Sequence, residues 1–161
     1  MERITYNIQI KLKSPVNISS GETRSGNVSI MMKDINGYPL IPATTIKGII
    51  KSNYIYLHNL YHKVSNCDCE ACRIFGSSEN ISSLVFFEDL KPKDRNYFVN
   101  FRMGTAIDRY RRAVFQSLFS QETVESATFC GKVVLFLNKT LIDSNVKEKF
   151  EMATRFIQKI G

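Results

Sequence analysis

The chain has 161 residues and a net charge of +7 at pH 7, so a polyanion is the first partner to consider. We expect a single folded domain, because one core commonly closes at roughly 100 to 200 residues and a hydrophobic fraction of 43% is too high for a disordered chain. The longest apolar run, residues 133–137, is far shorter than the ~20 residues of a membrane span, and no apolar leader follows Met1. The sequence therefore predicts a cytoplasmic protein.

The chain begins with a pattern that predicts a strand. Apolar and polar side chains alternate over residues 3–12, which is typical of a strand with one buried face. The apolar members of this face are Ile4, Tyr6, Ile8, Ile10 and Leu12. Residues 14–32 are rich in Ser, Gly, Asn and Thr, which indicates a loop region that ends in a short strand at residues 28–32.

A helix is predicted from Pro42 to about His62, with hydroxyl side chains near its start. Its predicted buried face carries Ile46, Ile50, Leu57 and Tyr61. Another face of the same helix is basic, since Lys47, Lys51 and both histidines of the chain fall within about 60° on the helical wheel. Together with Thr44 and Thr45 at the helix start, these lysines predict a site for a backbone phosphate, and the alternative is a solvated basic face.

Residues 63–82 are interpreted as a polar loop that carries three cysteines, and strands follow at residues 84–87 and 97–103. The mixed pattern of residues 107–128 fits a long excursion better than a core element. A strand at residues 129–137 and an amphipathic helix at residues 147–160 complete the chain. The order β-α-β-β-α predicts a ferredoxin-like α+β fold whose fourth strand is missing from this chain.

The cysteine-bearing loop has the spacing of a metal site. His58 and His62 precede Cys67, Cys69 and Cys72, and the last two cysteines form a Cys-x2-Cys step. Zinc prefers four such ligands in a tetrahedron, so three thiolates and one histidine predict a closed, structural zinc site. His62 is the nearer candidate for the fourth ligand, and His58 lies one turn earlier. The alternative is a set of free thiols beside two solvated histidines.

The middle of the chain is strongly basic. The segment from Lys91 to Arg112 contains seven basic residues and two acidic residues. The basic residues are Lys91, Lys93, Arg95, Arg102, Arg109, Arg111 and Arg112. Interleaved aromatic side chains offer stacking surfaces, which favours single-stranded RNA as the ligand, although about half of them are expected in the core.

Three segments of the chain resemble a known family. Residues 41–51, Ile-Pro-Ala-Thr-Thr-Ile-Lys-Gly-Ile-Ile-Lys, resemble the Ile-Pro-Gly-Ser-Ser-Leu-Lys-Gly-x-x-Arg signature of the RAMP superfamily, the repeat-associated CRISPR proteins. Residues 72–76, Cys-Arg-Ile-Phe-Gly, resemble its Cys-x-Leu-Phe-Gly element, which in several members ends a zinc-holding loop. Residues 107–129 resemble the thumb hairpin of backbone subunits in type III effector complexes.

The resemblance implies one RAMP domain over residues 1–161, with an RRM-like core, a zinc-binding loop at about residues 63–82 and a thumb insertion at about residues 104–128. Such a subunit polymerises along a guide RNA (crRNA) beside neighbouring RAMP subunits and other effector subunits. The implied RNA-binding residues are Thr44, Thr45, Lys47, Lys51, Arg109, Arg111 and Arg112. Ala43 and Lys51 depart from the signature, and Lys51 lacks the bidentate fork of the arginine it replaces.

The resemblance also bears on catalysis. Members that slice target RNA carry an aspartate after the first strand, and an ungapped comparison puts Asn27 at that position. Because an amide is not a useful base, we expect target RNA to be bound without being cut. If the register differs, Glu22 or Asp34 would take this role, with magnesium or manganese as the cofactor.

Two other functions compete with a guide-holding subunit. The first is an endoribonuclease of the same superfamily that cuts target RNA or precursor guide RNA. For precursor processing, His58 or His62 would act as the general base and Lys47 or Lys51 would stabilise the transition state. The second is a basic, zinc-bound adaptor that contacts proteins rather than RNA.

Overall fold

The computed structural model describes residues 2–24, 28–63, 67–77, 82–108, 113–138, 145–158 and 160. The strands are β1 (Glu2–Lys11), β2 (Ser19–Arg24), β3 (Val28–Met31), β4 (Val85–Phe87), β5 (Lys91–Pro92), β6 (Phe98–Asp108), β7 (Ala113–Glu125) and β8 (Thr128–Leu137). The helices are α1 (Ala43–Leu57), α2 (Glu70–Phe75) and α3 (Val146–Arg155). The prediction of a mixed α+β fold is confirmed. None of the described helices has the length and apolar character needed to cross a membrane.

The strands form two sheets. One has the order β1–β8–β4, and β5 also pairs with β8; both β4 and β5 run antiparallel to β8. The other has the order β2–β3–β7–β6, in which β3 runs parallel to β7 and the remaining pairs are antiparallel. The chain divides into two compact units.

Unit 1 comprises Met1–Ile8, Pro42–Leu90 and Gly131–Ile160. Its core is aromatic. The Phe150 ring of α3 lies 5.6 Å from the Tyr6 ring and 6.0 Å from the Phe75 ring, measured between centroids. Tyr54 of α1 contacts Phe75 edge-on at 5.8 Å. These rings tie β1 and all three described helices together.

Unit 2 comprises Gln9–Ile41, Lys91–Cys130 and Gly161. Glu122 of β7 is buried there, and its carboxylate accepts a hydrogen bond from the Met31 backbone N–H at 3.1 Å and from the Lys33 ammonium at 2.6 Å. The neighbouring Val124 is fully buried. Since a buried carboxylate is costly unless it is paired, this pairing explains how an acidic residue lies in a core strand.

Several sequence-based boundaries are confirmed and others are wrong. The alternation of β1 is confirmed, since Ile8 and Leu12 are buried and the polar residues between them are exposed. The first helix was predicted to reach His62 but ends at Leu57, because Asn59 takes a left-handed conformation with φ +48°. Tyr61, which was expected on the buried face, is therefore exposed.

Three segments predicted as loops form regular elements. β2 lies in the expected loop of residues 14–32, and α2 lies within the cysteine-bearing segment. The excursion expected at residues 107–128 is largely β7, which pairs with β6 over a long antiparallel hairpin. The composition of these segments does not indicate helices or strands. The elements form because tertiary pairing and burial outweigh local propensity.

Candidate metal centre and basic cleft

The four predicted metal ligands lie together in unit 1. The ligand atoms of His62, Cys67, Cys69 and Cys72 are all within 4.8 Å of one another. The His62 Nδ1 is 3.5 Å from both the Cys69 Sγ and the Cys72 Sγ. Ordinary Zn–S and Zn–N bonds in a tetrahedron put sulfur and nitrogen about 3.6 Å apart, so this donor set fits zinc. A closed set with three thiolates suits a structural ion.

Local structure brings the ligands together. His62 follows the end of α1, Cys69 is the N-cap residue of α2, and Cys72 lies in the first turn of that helix. His58 does not join the cluster. Its Nε2 lies 3.3 Å from the Lys149 carbonyl oxygen, and its ring meets Tyr54 edge-on at 5.0 Å. The structure thus places His62, and not His58, with the three cysteines, a choice that the sequence left open.

The thiols of the cluster differ in acidity. The Lys63 N–H, which donates to the Cys67 Sγ at 3.4 Å, and then the Cys69 backbone amide lower the pKa of Cys67 to about 6. Burial is the main cause that raises the pKa of Cys72 to about 11. A metal ion must displace the Cys72 proton, so metal affinity is expected to fall as the pH falls.

A polar network attaches α2 to the other helices of unit 1. Glu70 lies between two of the cysteine ligands in sequence, and its carboxylate accepts hydrogen bonds from the Tyr54 hydroxyl and from the Lys149 ammonium, the latter at 2.9 and 3.1 Å. Burial, followed by the hydrogen bond to Glu70, raises the pKa of Tyr54 above its ordinary value. The phenol therefore stays protonated and donates. No sequence pattern indicates this network, because its three members are far apart in sequence.

A basic cleft of about 430 Å³ lies beside α1. Its lining residues are Thr44, Lys47, Gly48, Lys51, Phe75, Gly76, Ser77 and Ser83. Thr44, Lys47 and Lys51 share one helix face because they are spaced by three and four residues. Three of the four RNA-binding residues predicted on this helix thus lie in one cleft, and Thr45 is not among the described residues that line it.

The two lysines of the cleft are held by neutral oxygen atoms. The Lys47 ammonium donates to the Ser83 Oγ at 3.0 Å, and the Lys51 ammonium donates to the Gly76 carbonyl oxygen at 2.9 Å. Neither lysine forms an ion pair with a carboxylate in the part of the chain that the structure describes. Burial and then the charge of Lys51 lower the pKa of Lys47. Two neighbouring cations that no carboxylate of the described segments pairs form a site suited to an anion.

The start of α1 differs from the expectation of open amide groups. The Asp89 carboxylate accepts the Ala43 N–H at 2.7 Å, and the Thr45 N–H donates to the Pro42 carbonyl oxygen at 3.0 Å. The first amide therefore already has an anionic partner. The positive charges in the lining of the cleft are the two lysine side chains.

The other predicted site residues are placed less favourably or lie outside the described residues. The Asp34 carboxylate accepts hydrogen bonds from the Asn36 and Tyr38 N–H groups at 2.9 and 3.0 Å, which with the nearby Lys91 lower its pKa. It therefore stabilises a turn. Asn27, Arg109, Arg111 and Arg112 lie outside the described residues, as does the side chain of Glu22.

The residues that form the other wall of the cleft were not predicted from the sequence. Phe75, Gly76 and Ser77 were assigned only to the end of a zinc loop, and Ser83 was not considered. Gly76 takes φ +81° at the end of α2, a conformation that glycine adopts without strain. A glycine directly after a short apolar run was the available signal for a helix end.

Comparison with known proteins gives one result. No curated protein sequence matches this chain. The family model of the RAMP superfamily matches residues 9–161, which is nearly the whole sequence. The match includes the helix with the two cleft lysines and the four candidate metal ligands. The chain therefore belongs to the RAMP superfamily.

Proposed function

We propose that this protein is a backbone subunit of a type III CRISPR ribonucleoprotein, which holds crRNA and accommodates complementary target RNA. Membership of the RAMP superfamily supports a CRISPR-associated RNA-binding role. The net charge of +7 suits an RNA partner. Other effector subunits and neighbouring copies of a RAMP subunit complete the assembly.

The observation that carries this proposal is the convergence of Lys47 and Lys51 in the basic cleft. Among the described residues, each ammonium group has one hydrogen bond, to a neutral oxygen, and its other donors can contact phosphate oxygens. The Thr44 hydroxyl lies on the same wall. Contacts of this kind hold an RNA backbone without reading its bases, as a subunit that carries guides of many sequences requires.

The fold supports the same proposal. We interpret β1, β8 and β4 with α1 and α3 as three strands and two helices of a ferredoxin-like core, and the β6–β7 hairpin as the thumb. The segments of the two compact units alternate along the chain, and the family match extends over both. We therefore treat both units as parts of one RAMP domain. Arg109, Arg111 and Arg112 would act at the thumb.

In this proposal the metal is zinc and has a structural role. Cys67, Cys69, Cys72 and His62 would hold it, and the ion would fix the segment between α1 and α2. With four protein ligands, the centre would offer no open position at which to activate water. Its contribution would be to the stability of that segment.

The alternative, an endoribonuclease, has less support in this structure. The chain contains two histidines, and both are engaged: His58 with the Lys149 carbonyl group and His62 with the thiols. Asp34 is bound to backbone amides in its turn. An ungapped comparison puts Asn27 where slicing members carry aspartate, so we propose that target RNA is bound without being cut. A slicing form would require magnesium or manganese.

The test of RNA binding compares two lysine variants. Lys47→Ala should weaken binding to single-stranded RNA for every sequence and lower the slope of log K against log salt by about one, because one phosphate contact is lost. Lys147→Ala removes an equal charge from an exposed position at the start of α3 and is the matched control. Equal salt slopes for both variants, measured by fluorescence anisotropy, would place the RNA elsewhere.

A further inference from the structure

The short helix α2 connects the metal centre to the basic cleft. Its N-terminal part carries the ligands Cys69 and Cys72, and its C-terminal end supplies Phe75 and Gly76 to the cleft wall. Only two residues, Arg73 and Ile74, lie between the Cys72 ligand and the first residue of that wall. In a helix of six residues, a constraint at one end also acts on the other end.

Two hydrogen bonds connect the metal ligand Cys72 to Lys51 of the cleft. The Gly76 N–H donates to the Cys72 carbonyl oxygen at 2.8 Å, so the position of Gly76 depends on that of the metal ligand. The Gly76 carbonyl oxygen in turn accepts the Lys51 ammonium at 2.9 Å. Cys72, Gly76 and Lys51 therefore form one continuous chain of contacts from the metal centre into the cleft.

The conformation of α2 depends on its anchors. A helix of six residues is far below the roughly 12 to 15 residues that are marginally stable alone in water. Two kinds of anchor are described. One is the buried pair Ile74 and Phe75, together with the Leu84 N–H that donates to the Ile74 carbonyl oxygen at 2.8 Å, and the other is the set of side-chain pairs of Glu70 with Tyr54 and Lys149 and of Arg73 with Asp68. The metal ligands provide a third anchor, which is present only when the ion is bound.

We propose that metal binding at His62, Cys67, Cys69 and Cys72 increases the affinity of the cleft for RNA. The bound metal holds α2 in place, and with it the Gly76 carbonyl group that orients Lys51. This inference rests on the proposed role of the cleft in RNA binding. A lysine whose ammonium is already oriented loses less side-chain entropy when it binds a phosphate. Lys47 is oriented by Ser83 instead. The next residue, Leu84, pairs with Phe136 of β8 through its carbonyl oxygen and with the Ile74 carbonyl oxygen of α2 through its N–H, so Lys47 has a less direct connection to α2 than Lys51 has.

The experiment compares the zinc-loaded protein with protein freed of metal by a chelator under reducing conditions. The probe is a fluorescein-labelled oligouridine RNA at fixed salt concentration. We expect removal of zinc to weaken binding by about two- to tenfold. Lys51→Ala should weaken binding and lose most of this response to zinc, because the connection of Lys47 to α2 is less direct, whereas Lys47→Ala should weaken binding and keep the response. Cobalt substitution, followed by its thiolate charge-transfer absorption, reports occupancy of the site.

Hydrogen exchange tests the structural step without RNA. Zinc should slow exchange at the Gly76 amide, since its hydrogen bond to Cys72 becomes longer-lived. Equal exchange at Gly76 with and without zinc would overturn the inference, and so would an equal zinc response in the two lysine variants. Global unfolding of the metal-free protein, measured by circular dichroism, would also overturn it, because zinc would then support the whole fold rather than α2.

The outcomes separate this inference from the proposed function. If RNA does not bind in either metal state, the proposed role of the cleft fails, while exchange at Gly76 still decides whether the metal holds α2. If RNA binds and both lysine variants weaken it, but zinc removal changes neither affinity nor exchange, the cleft binds RNA and the inference is wrong.

Discussion

Cys72 is the ligand whose surroundings differ most from those of an exposed thiol. It is fully buried in unit 1, and its thiol stays protonated at neutral pH when no metal is bound. Cys67 has the opposite tendency, since backbone amides favour its thiolate. The cluster therefore has one ligand ready to bind a metal and one that the metal must deprotonate.

The metal site predicts a clear difference between cysteines. Cys69→Ser combined with Cys72→Ser should abolish zinc binding, which we expect at about one ion per chain, and should lower the Tm by roughly 5 °C, because the segment before α2 loses its ligand set. Cys130→Ser is the control, since Cys130 is not part of the cluster. The checks are elemental analysis of anaerobically purified protein and thermal unfolding. Absence of zinc from the wild-type protein would show that the predicted zinc site is wrong.

Asn27 leads to a prediction about cleavage. Asn27→Asp supplies the carboxylate that slicing relatives are expected to use, so the assembled complex should gain cutting of guide-complementary RNA in magnesium or manganese. The unmodified complex should bind the same RNA and leave it intact. Gel analysis of end-labelled target RNA measures both.

The matched controls for cleavage are Asp34→Ala and Glu22→Ala in the unmodified complex. Cutting by the wild type that either control abolishes, and that Asn27→Asp does not change, would show that the register places the wrong residue at the catalytic position. The hydrogen bonds of the Asp34 carboxylate to two backbone amides lead us to expect that Asp34→Ala disturbs a turn instead.

At the scale of elements, β8 is the strand on which the first sheet depends. It pairs with β4 and β5, and Phe129, Val133, Leu135 and Leu137 along it are buried. Gly131 interrupts this apolar strand. A Cβ at residue 131 would lie 2.4 Å from the buried Leu90 Cδ2 and 3.4 Å from the Asp89 carbonyl oxygen, which explains why a glycine stands there.

Gly131→Ala should therefore cost about 1–3 kcal/mol of unfolding free energy, through overpacking against Leu90. Gly48→Ala is the control, because a Cβ on that exposed helical glycine meets nothing within 4 Å and should be neutral or stabilising by about 0.5–1 kcal/mol. Urea unfolding measures both. In a Leu90→Ala background the cost of Gly131→Ala should shrink, and an equal cost in both backgrounds would contradict the steric explanation.

At the scale of the whole molecule, we expect the β6–β7 hairpin, the proposed thumb, to reach a neighbouring subunit. Its base belongs to unit 2, where Glu122 and Val124 of β7 are buried, so deletion of the whole segment would damage that unit. The pair Gly104 and Phe119 marks a point beyond these buried residues. Residues 105–118 can therefore be replaced by a short Asn-Gly turn.

This trimmed variant should keep its zinc and its affinity for a short RNA, but it should fail to form ordered assemblies on long RNA. The expected wild-type assembly is head-to-tail, with an interface that need not close into a ring. Sedimentation velocity and negative-stain electron microscopy measure the difference. Filaments of equal length from the trimmed and wild-type proteins would show that the hairpin does not join neighbours.

The sequence alone was sufficient for features that depend on local patterns. The alternation of residues 3–12 predicted β1, the apolar spacing predicted α1 and α3, and the Cys-x2-Cys step predicted the cysteines that lie together with His62. The lysine spacing on α1 placed Lys47 and Lys51 on one face. Such features follow from the helical and strand periods, which involve only near neighbours in the chain.

Tertiary structure alone decided the features that join distant segments. β7 is a core strand because the Met31 N–H and the Lys33 ammonium pair its Glu122, and composition gives no sign of either partner. The choice between the two histidines follows from where α1 ends. The cleft needs Gly76 and Ser83 opposite the two lysines, and this juxtaposition arises from the packing of α2 on α1, which no local pattern encodes.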